Sequence, residues 1–159
     1  MTPSESSAPR TPSLPDVAKQ FVGTWRQVSS EQRLANGAWR TSPMYGPGGV
    51  GYLIYTEANR MCAMVMDPSR PQWNSESSPT EAELRSAMNG LTAYCGTYEV
   101  NAAEGFVVHH VEVERIPNRV GTSLKRFFTF SGNRLLLRPA ERLPKDVLEY
   151  VITWERVEK

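Results

Sequence analysis

No apolar run in the sequence approaches the roughly 18 residues that a membrane-spanning helix needs, so no membrane partner is expected. An excess of either charge is equally lacking. The 18 basic and 17 acidic residues are scattered along the chain and leave a formal net charge of +1. Phosphate-backbone binding needs a basic stripe, so nucleic acid is not an expected partner. Cysteine is scarce, and Cys62 and Cys95 stand in no metal-ligand spacing. The N-terminus carries no apolar signal segment, so the two are expected to be reduced, half-buried thiols of a cytoplasmic protein; a disulfide between them is the alternative. His109 and His110 are the only histidines, and adjacent strand positions point to opposite faces, so they are not expected to share a metal. "GPGG" at 46–49 has no Gly-Lys-Ser/Thr and no helix behind it, which rejects a phosphate cradle. No cofactor and no metal are implied.

What is present is ordinary for one globular domain: 40% hydrophobic and 22% charged residues in 159. Residues 1–16, "MTPSESSAPRTPSLPD", are rich in Ser, Thr and Pro and read as a disordered leader, with the domain over 17–159. Short strand-like runs follow one another. "GTWRQVSSEQRL" leads through Asn36-Gly37, a strong hairpin signal, into "AWRTS". "VGYLIYT" and "RMCAMVM" flank a turn, and "GTYEV", "GFVVHHVEVERI", "TSLKRFFTF", "NRLLLRP" and "VLEYVITWERV" complete about nine strands. One segment differs. Ser78-Pro79-Thr80-Glu81 fits a capping box, and Leu84, Ala87, Met88 and Leu91 recur at helical spacing, so a helix is expected over 79–92. Antiparallel strands with short connections and one inserted helix predict a mainly β, closed or nearly closed barrel.

"FVGTWRQVSSE" resembles the first strand of the calycins, whose mark is a Gly-x-Trp. "VGYLIYTEANRMCAMVM", "YCGTYEV" and "VVHHVEVERIPNRVGT" resemble the bacterial and fungal lipocalin-like domain family, over about residues 20–157. The resemblance implies an up-and-down antiparallel β-barrel around an apolar cavity, closed at one end by Trp25. It does not imply one reaction, because such barrels carry ligands or serve as cofactor-free cyclases, isomerases or dehydratases.

Strand alternation assigns faces. Val107, His109, Val111 and Val113 are expected inside and His110 outside. Leu124, Arg126, Phe128 and Phe130 are expected inside, as are Tyr98 and Val100, and Leu148, Tyr150, Ile152 and Trp154. Trp25 brings Gln27, Ser29 and Glu31 onto its face. A buried guanidinium requires a partner, so Arg126 points to Glu31, another internal salt bridge, or a ligand oxygen. His109 has either a hydrogen-bonded structural role or a proton-handling one.

Two functions from different classes follow. The first is a cofactor-free biosynthetic enzyme of secondary metabolism, holding a hydrophobic polyketide- or terpenoid-like intermediate for cyclisation, cycloaddition, isomerisation or dehydration. Its catalytic residues would be His109 and Arg126, with Tyr52, Met64, Met66, Tyr98, Phe128 and Tyr150 contacting the ligand. The second is a non-catalytic carrier or sensor of a small lipophilic molecule. In both cases the protein is expected to be a monomer or homodimer.

Overall fold

The computed structural model describes residues 14–158, and within them the strands form the expected barrel. The strands are β1 (Gly23–Leu34), β2 (Trp39–Thr41), β3 (Val50–Tyr55), β4 (Arg60–Met66), β5 (Leu91–Asn101), β6 (Phe106–Glu114), β7 (Ser123–Ser131), β8 (Arg134–Pro139) and β9 (Val147–Arg156). Neighbours pair antiparallel from β3 through β9, and β1 joins β3 on one edge and β9 on the other. Eight strands therefore close into a ring, while the three-residue β2 pairs with the far half of β1. Among the described residues no helix is long and apolar enough to cross a membrane.

A helix that the sequence reading did not expect, α1 (Leu14–Phe21), precedes the barrel. Most of the leader expected over 1–16 lies outside the described residues, and Leu14–Asp16 form the first turn of this helix. Its last residue, Phe21, is fully buried and meets Tyr55, Phe128 and Phe130 edge-on. Trp25, 1% exposed, donates its indole N–H to the Phe21 carbonyl at 2.8 Å and so ties the helix end to the first strand.

The glycine of the Gly-x-Trp pair has a steric reason. Gly23 has φ +138°, and a Cβ there would stand 2.5 Å from Nη1 of Arg156. The open space lets the Arg156 guanidinium lie 4.2 Å from the Trp25 ring centre. From that position it donates to the carbonyls of Val22 and Gln20. One cation thus closes the last strand over the first.

Two bulges change the inward set. On β1 the register jumps between Gln27 and Ser29, so Val28 is the extra residue. Beyond it Ser30 and Gln32 are buried, whereas Ser29 and Glu31, expected inside, turn outward. On β6 the pairing skips Glu112, which leaves Val113, also expected inside, 65% exposed. The bulge closes against Gly96, where a Cβ would lie 1.8 Å from the His110 carbonyl oxygen. In β9 Tyr150, Ile152 and Trp154 hold their expected face, but Leu148 near the strand start is exposed.

The inserted helix, α2 (Glu81–Asn89), is shorter than the expected 79–92. Its capping box uses Thr80 and Glu83, two residues later than Ser78 and Glu81. Glu83 accepts from the Thr80 amide at 2.6 Å and from the Asn74 amide at 2.8 Å, so that carboxylate fixes both the helix start and the preceding loop. Leu91, placed in the helix by spacing, begins β5 instead.

The expectation of two reduced thiols is corrected. Cys62 and Cys95 are direct cross-strand partners on β4 and β5 and form a disulfide, with Cα atoms 4.1 Å apart. It lies on the outer face, because Met61, Ala63 and Val65 take the inner positions of β4.

Trp25→Ala should lower the unfolding free energy by roughly 3–5 kcal/mol, the usual result of deleting a large buried aromatic. Chemical denaturation of the variant measures this. A wild-type midpoint and slope would show that the α1 end does not depend on the indole.

Candidate functional site

His109 sits on the inner face of β6 between Val107 and Val111, fully buried. Tyr55 reaches its Nε2 from β3 at 2.6 Å, and Tyr94 reaches its Nδ1 from β5 at 2.9 Å. Both ring nitrogens are therefore engaged. Burial lowers the imidazole pKa from its ordinary 6.5 to about 3, and the Arg126 and His110 charges push the same way. The ring is neutral at physiological pH.

Arg126 lies one strand over on β7, paired with Val107, and faces inward as expected. Its side chain is 13% exposed, and Nη1 donates to both Glu141 oxygens at 2.5 and 2.6 Å. Glu31, weighed as its partner, stands outside the barrel; Glu141, in the loop after β8, takes that place. Burial works against the guanidinium charge, but Tyr94, Glu141 and Tyr55 outweigh it, and the pKa is raised. The influence is mutual. Burial raises the Tyr94 pKa, and the charge and hydrogen bonding of Arg126 oppose that rise.

These contacts give the chain a direction. Arginine has donors only, so the charge of Arg126 near Tyr94 favours the arrangement in which the Tyr94 proton turns to His109 Nδ1. In that tautomer the neutral imidazole carries its proton on Nε2 and donates to the Tyr55 oxygen 2.6 Å away. That leaves the Tyr55 O–H as a donor, polarised by a chain that begins at a cation. Arg126, Tyr94, His109 and Tyr55 can thus offer hydrogen bonds to an oxygen and favour negative charge on it. They do not offer a free base.

The other expected site residues divide by strand parity. Tyr98 is buried inside with its hydroxyl on the Thr56 carbonyl at 2.9 Å, and Phe128 packs on Phe21. Tyr150 also faces in, 2.8 Å from Ser30 Oγ. Tyr52, Met64 and Met66 do not line the interior. They alternate with Leu53, Tyr55, Ala63 and Val65 and lie on the outer surface, Met64 being 58% exposed. Tyr55 and Tyr94, outside the expected site residues, are the partners of His109.

Phe128, Phe130 and Ile152 pack against the core yet remain only partly buried. An inward side chain of a closed barrel keeps such surface only towards internal space or the mouth. Separately, an open cleft of about 620 Å³ lies beside α1, lined by Ala18, Lys19, Val22, Glu57, Asn59, Tyr98, Glu99 and Val100. It contains none of Arg126, Tyr94, His109 and Tyr55.

The depressed His109 pKa makes a stability prediction. Between pH 3 and 6.5 the unfolded chain takes up a proton that the folded protein refuses. Stability from this group is therefore complete above pH 6.5 and is lost as pH falls towards 3, by up to about 1.4 kcal/mol per pH unit. Urea denaturation from neutral pH down to about pH 4 should show this slope in the wild type and a flatter one in His109→Gln. Equal slopes would assign the acid sensitivity to another group.

A family model agrees with the barrel. Residues 22–157 match the family model described as a lipocalin-like domain. A 4'-hydroxy-3'-methoxypropiophenone carrier protein, ppsC, of Aspergillus oryzae is 31% identical over 107 residues, covering 61% of this chain and 96% of that protein. Among solved structures, a mutant of the fluorescent protein UnaG is 16% identical with a TM-score of 0.39, covering 88% of this chain and 98% of that one. The REP1-NXSQ fatty acid transporter is 10% identical with a TM-score of 0.39, covering 89% and 98%. With that match running from the residue before β1 to the residue after β9, the chain belongs to the lipocalin-like domain family.

Proposed function

We propose that the protein binds a small, largely apolar molecule inside its barrel and carries it, holding one of its oxygens on the chain that runs from Arg126 to Tyr55. The observation that carries this reading is the state of His109: both nitrogens are bonded and the pKa is far below neutrality. Such an imidazole is a poor proton acceptor at physiological pH, while Tyr55, whose pKa burial raises, keeps its proton and can donate it in a hydrogen bond. Eight-stranded barrels can hold one small ligand, and the aromatic interior around Phe21, Phe128 and Phe130 suits a ring. The name of the Aspergillus oryzae relative supports a phenolic aryl ketone as the ligand class, and with it a place in secondary metabolism. A cytoplasmic location is part of the same reading, and there the Cys62–Cys95 disulfide has to form against the reducing poise of that compartment.

The second reading is a cofactor-free enzyme promoting cyclisation, cycloaddition, isomerisation or dehydration. One observation favours it: Arg126 and Tyr94 would stabilise an enolate or phenolate as negative charge develops.

Calorimetric titration with 4'-hydroxy-3'-methoxypropiophenone separates these readings. The wild type is expected to bind it and return it unchanged, whereas conversion to a product would favour the enzyme. Arg126→Met keeps approximate bulk and should weaken binding by about ten-fold or more, since a hydrogen bond to a charged group contributes about 1.5–3 kcal/mol. Full affinity in that variant would remove Arg126 from the site.

A further inference from the structure

Another set of polar atoms lies on a different wall of the barrel. Gln27 and Trp154 are direct cross-strand partners on β1 and β9. Both are buried, at 7% and 3% exposure. Both ends of the Gln27 amide and the indole N–H of Trp154 have no hydrogen-bond partner among the described residues. Buried polar groups are rarely left so, because the desolvation is uncompensated.

The rest of β1 shows that the strand can satisfy its interior. Ser30 is bonded to Tyr150, and Gln32 accepts from Arg40 and donates to Ser42. Gln27 is the exception. Its room is specifically kept, since a Cβ at Gly49 would lie 2.5 Å from Oε1 of this amide.

The pole is neutral. The nearest cation on β9, Arg156, is held by the carbonyls of Gln20 and Val22 and by the Trp25 face. Gln27 and Trp154 together present three N–H donors and one acceptor oxygen. That set fits a ketone, ester or amide carbonyl, with an adjacent O–H or N–H returned to Gln27 Oε1. It does not fit a carboxylate, which would be buried without a counter-charge. In the ring of eight strands β1 stands opposite β6, so this pole faces the wall that carries His109.

We propose that Gln27 and Trp154 form a second, specificity-determining contact that holds a neutral carbonyl of the bound molecule, while a more acidic oxygen rests on the Arg126 chain. This rests on the carrier reading above and narrows its ligand class to molecules with two separated oxygens. With no protein group to complete it, the pole favours a ligand that does.

Two probes test it by calorimetry: the propiophenone used above and the same phenol with the side-chain carbonyl replaced by CH₂. The wild type should bind the ketone at least ten-fold more tightly. Gln27→Met should abolish that preference while leaving the melting temperature of the free protein equal or higher, because no internal bond is lost. Trp154→Phe, which keeps an aromatic ring, should reduce the preference in part. Equal wild-type affinity for the two probes, a preference retained in Gln27→Met, or a lower melting temperature in that variant would overturn the pole alone. A wild type that binds neither probe would overturn the carrier reading and this inference with it.

Discussion

β1 and β9 pair at nine register positions, and this seam turns a sheet with two open edges into a ring. Without it, the unpaired edges would be exposed, and the inward side chains would have no opposite wall. The seam also sets orientation. Before the Val28 bulge, Trp25 and Gln27 face in; after it, Ser30 and Gln32 do. An unbulged strand would have put Glu31 inside the barrel and Ser30 outside. Arg156 holds the start of the seam by spanning Gly23, Trp25 and the end of α1. One bulge and one arginine thus decide which chemistry the interior receives.

Inside, burial would normally penalise every ionisable group, and the structure answers in two ways. His109 is held neutral between two hydroxyls, so it needs no counter-charge. Arg126 keeps its charge because Glu141 meets it near the mouth, where that carboxylate is still half-exposed. A carboxylate deeper in the barrel would bear a larger desolvation cost. The cation thus lies where its counter-ion can stay hydrated, and its influence reaches the interior through Tyr94 and His109, both uncharged. The deep wall stays neutral yet polarised.

Much of this was legible where a strand has one polar and one apolar face. Val107, His109 and Val111, and then Arg126 and Phe128, alternate cleanly, and their orientation follows from the pleat. "VGYLIY" and "RMCAMVM" are apolar on both faces, so parity there is set by pairing partners: Leu53 lies opposite Trp25 and Ala63 opposite Leu53. That is why Tyr52, Met64 and Met66, expected at the ligand, lie on the outer surface instead. Bulges are invisible to alternation, which misplaced Glu31 and Val113. Long-range choices were equally hidden. Glu141 sits in a turn that carries no signal of its distant partner, and the cysteine pairing depends on the β4–β5 register. The capping box shifted because Glu83, rather than Glu81, also reaches Asn74.

The two buried polar sets differ in a way that bears on carriage. Tyr55, His109 and Tyr94 are linked through both ring nitrogens, so their geometry is set before a molecule binds. A ligand oxygen approaching them adds a bond without having to assemble the site. Gln27 and Trp154 have no such internal completion. A ligand that reaches them removes an existing cost, and one that lacks the complementary group leaves it in place. A preorganised wall supplies affinity for any suitable oxygen, while an uncompleted wall separates one ligand from another. A carrier needs both properties with modest total affinity, because each bond it makes must also be broken on release.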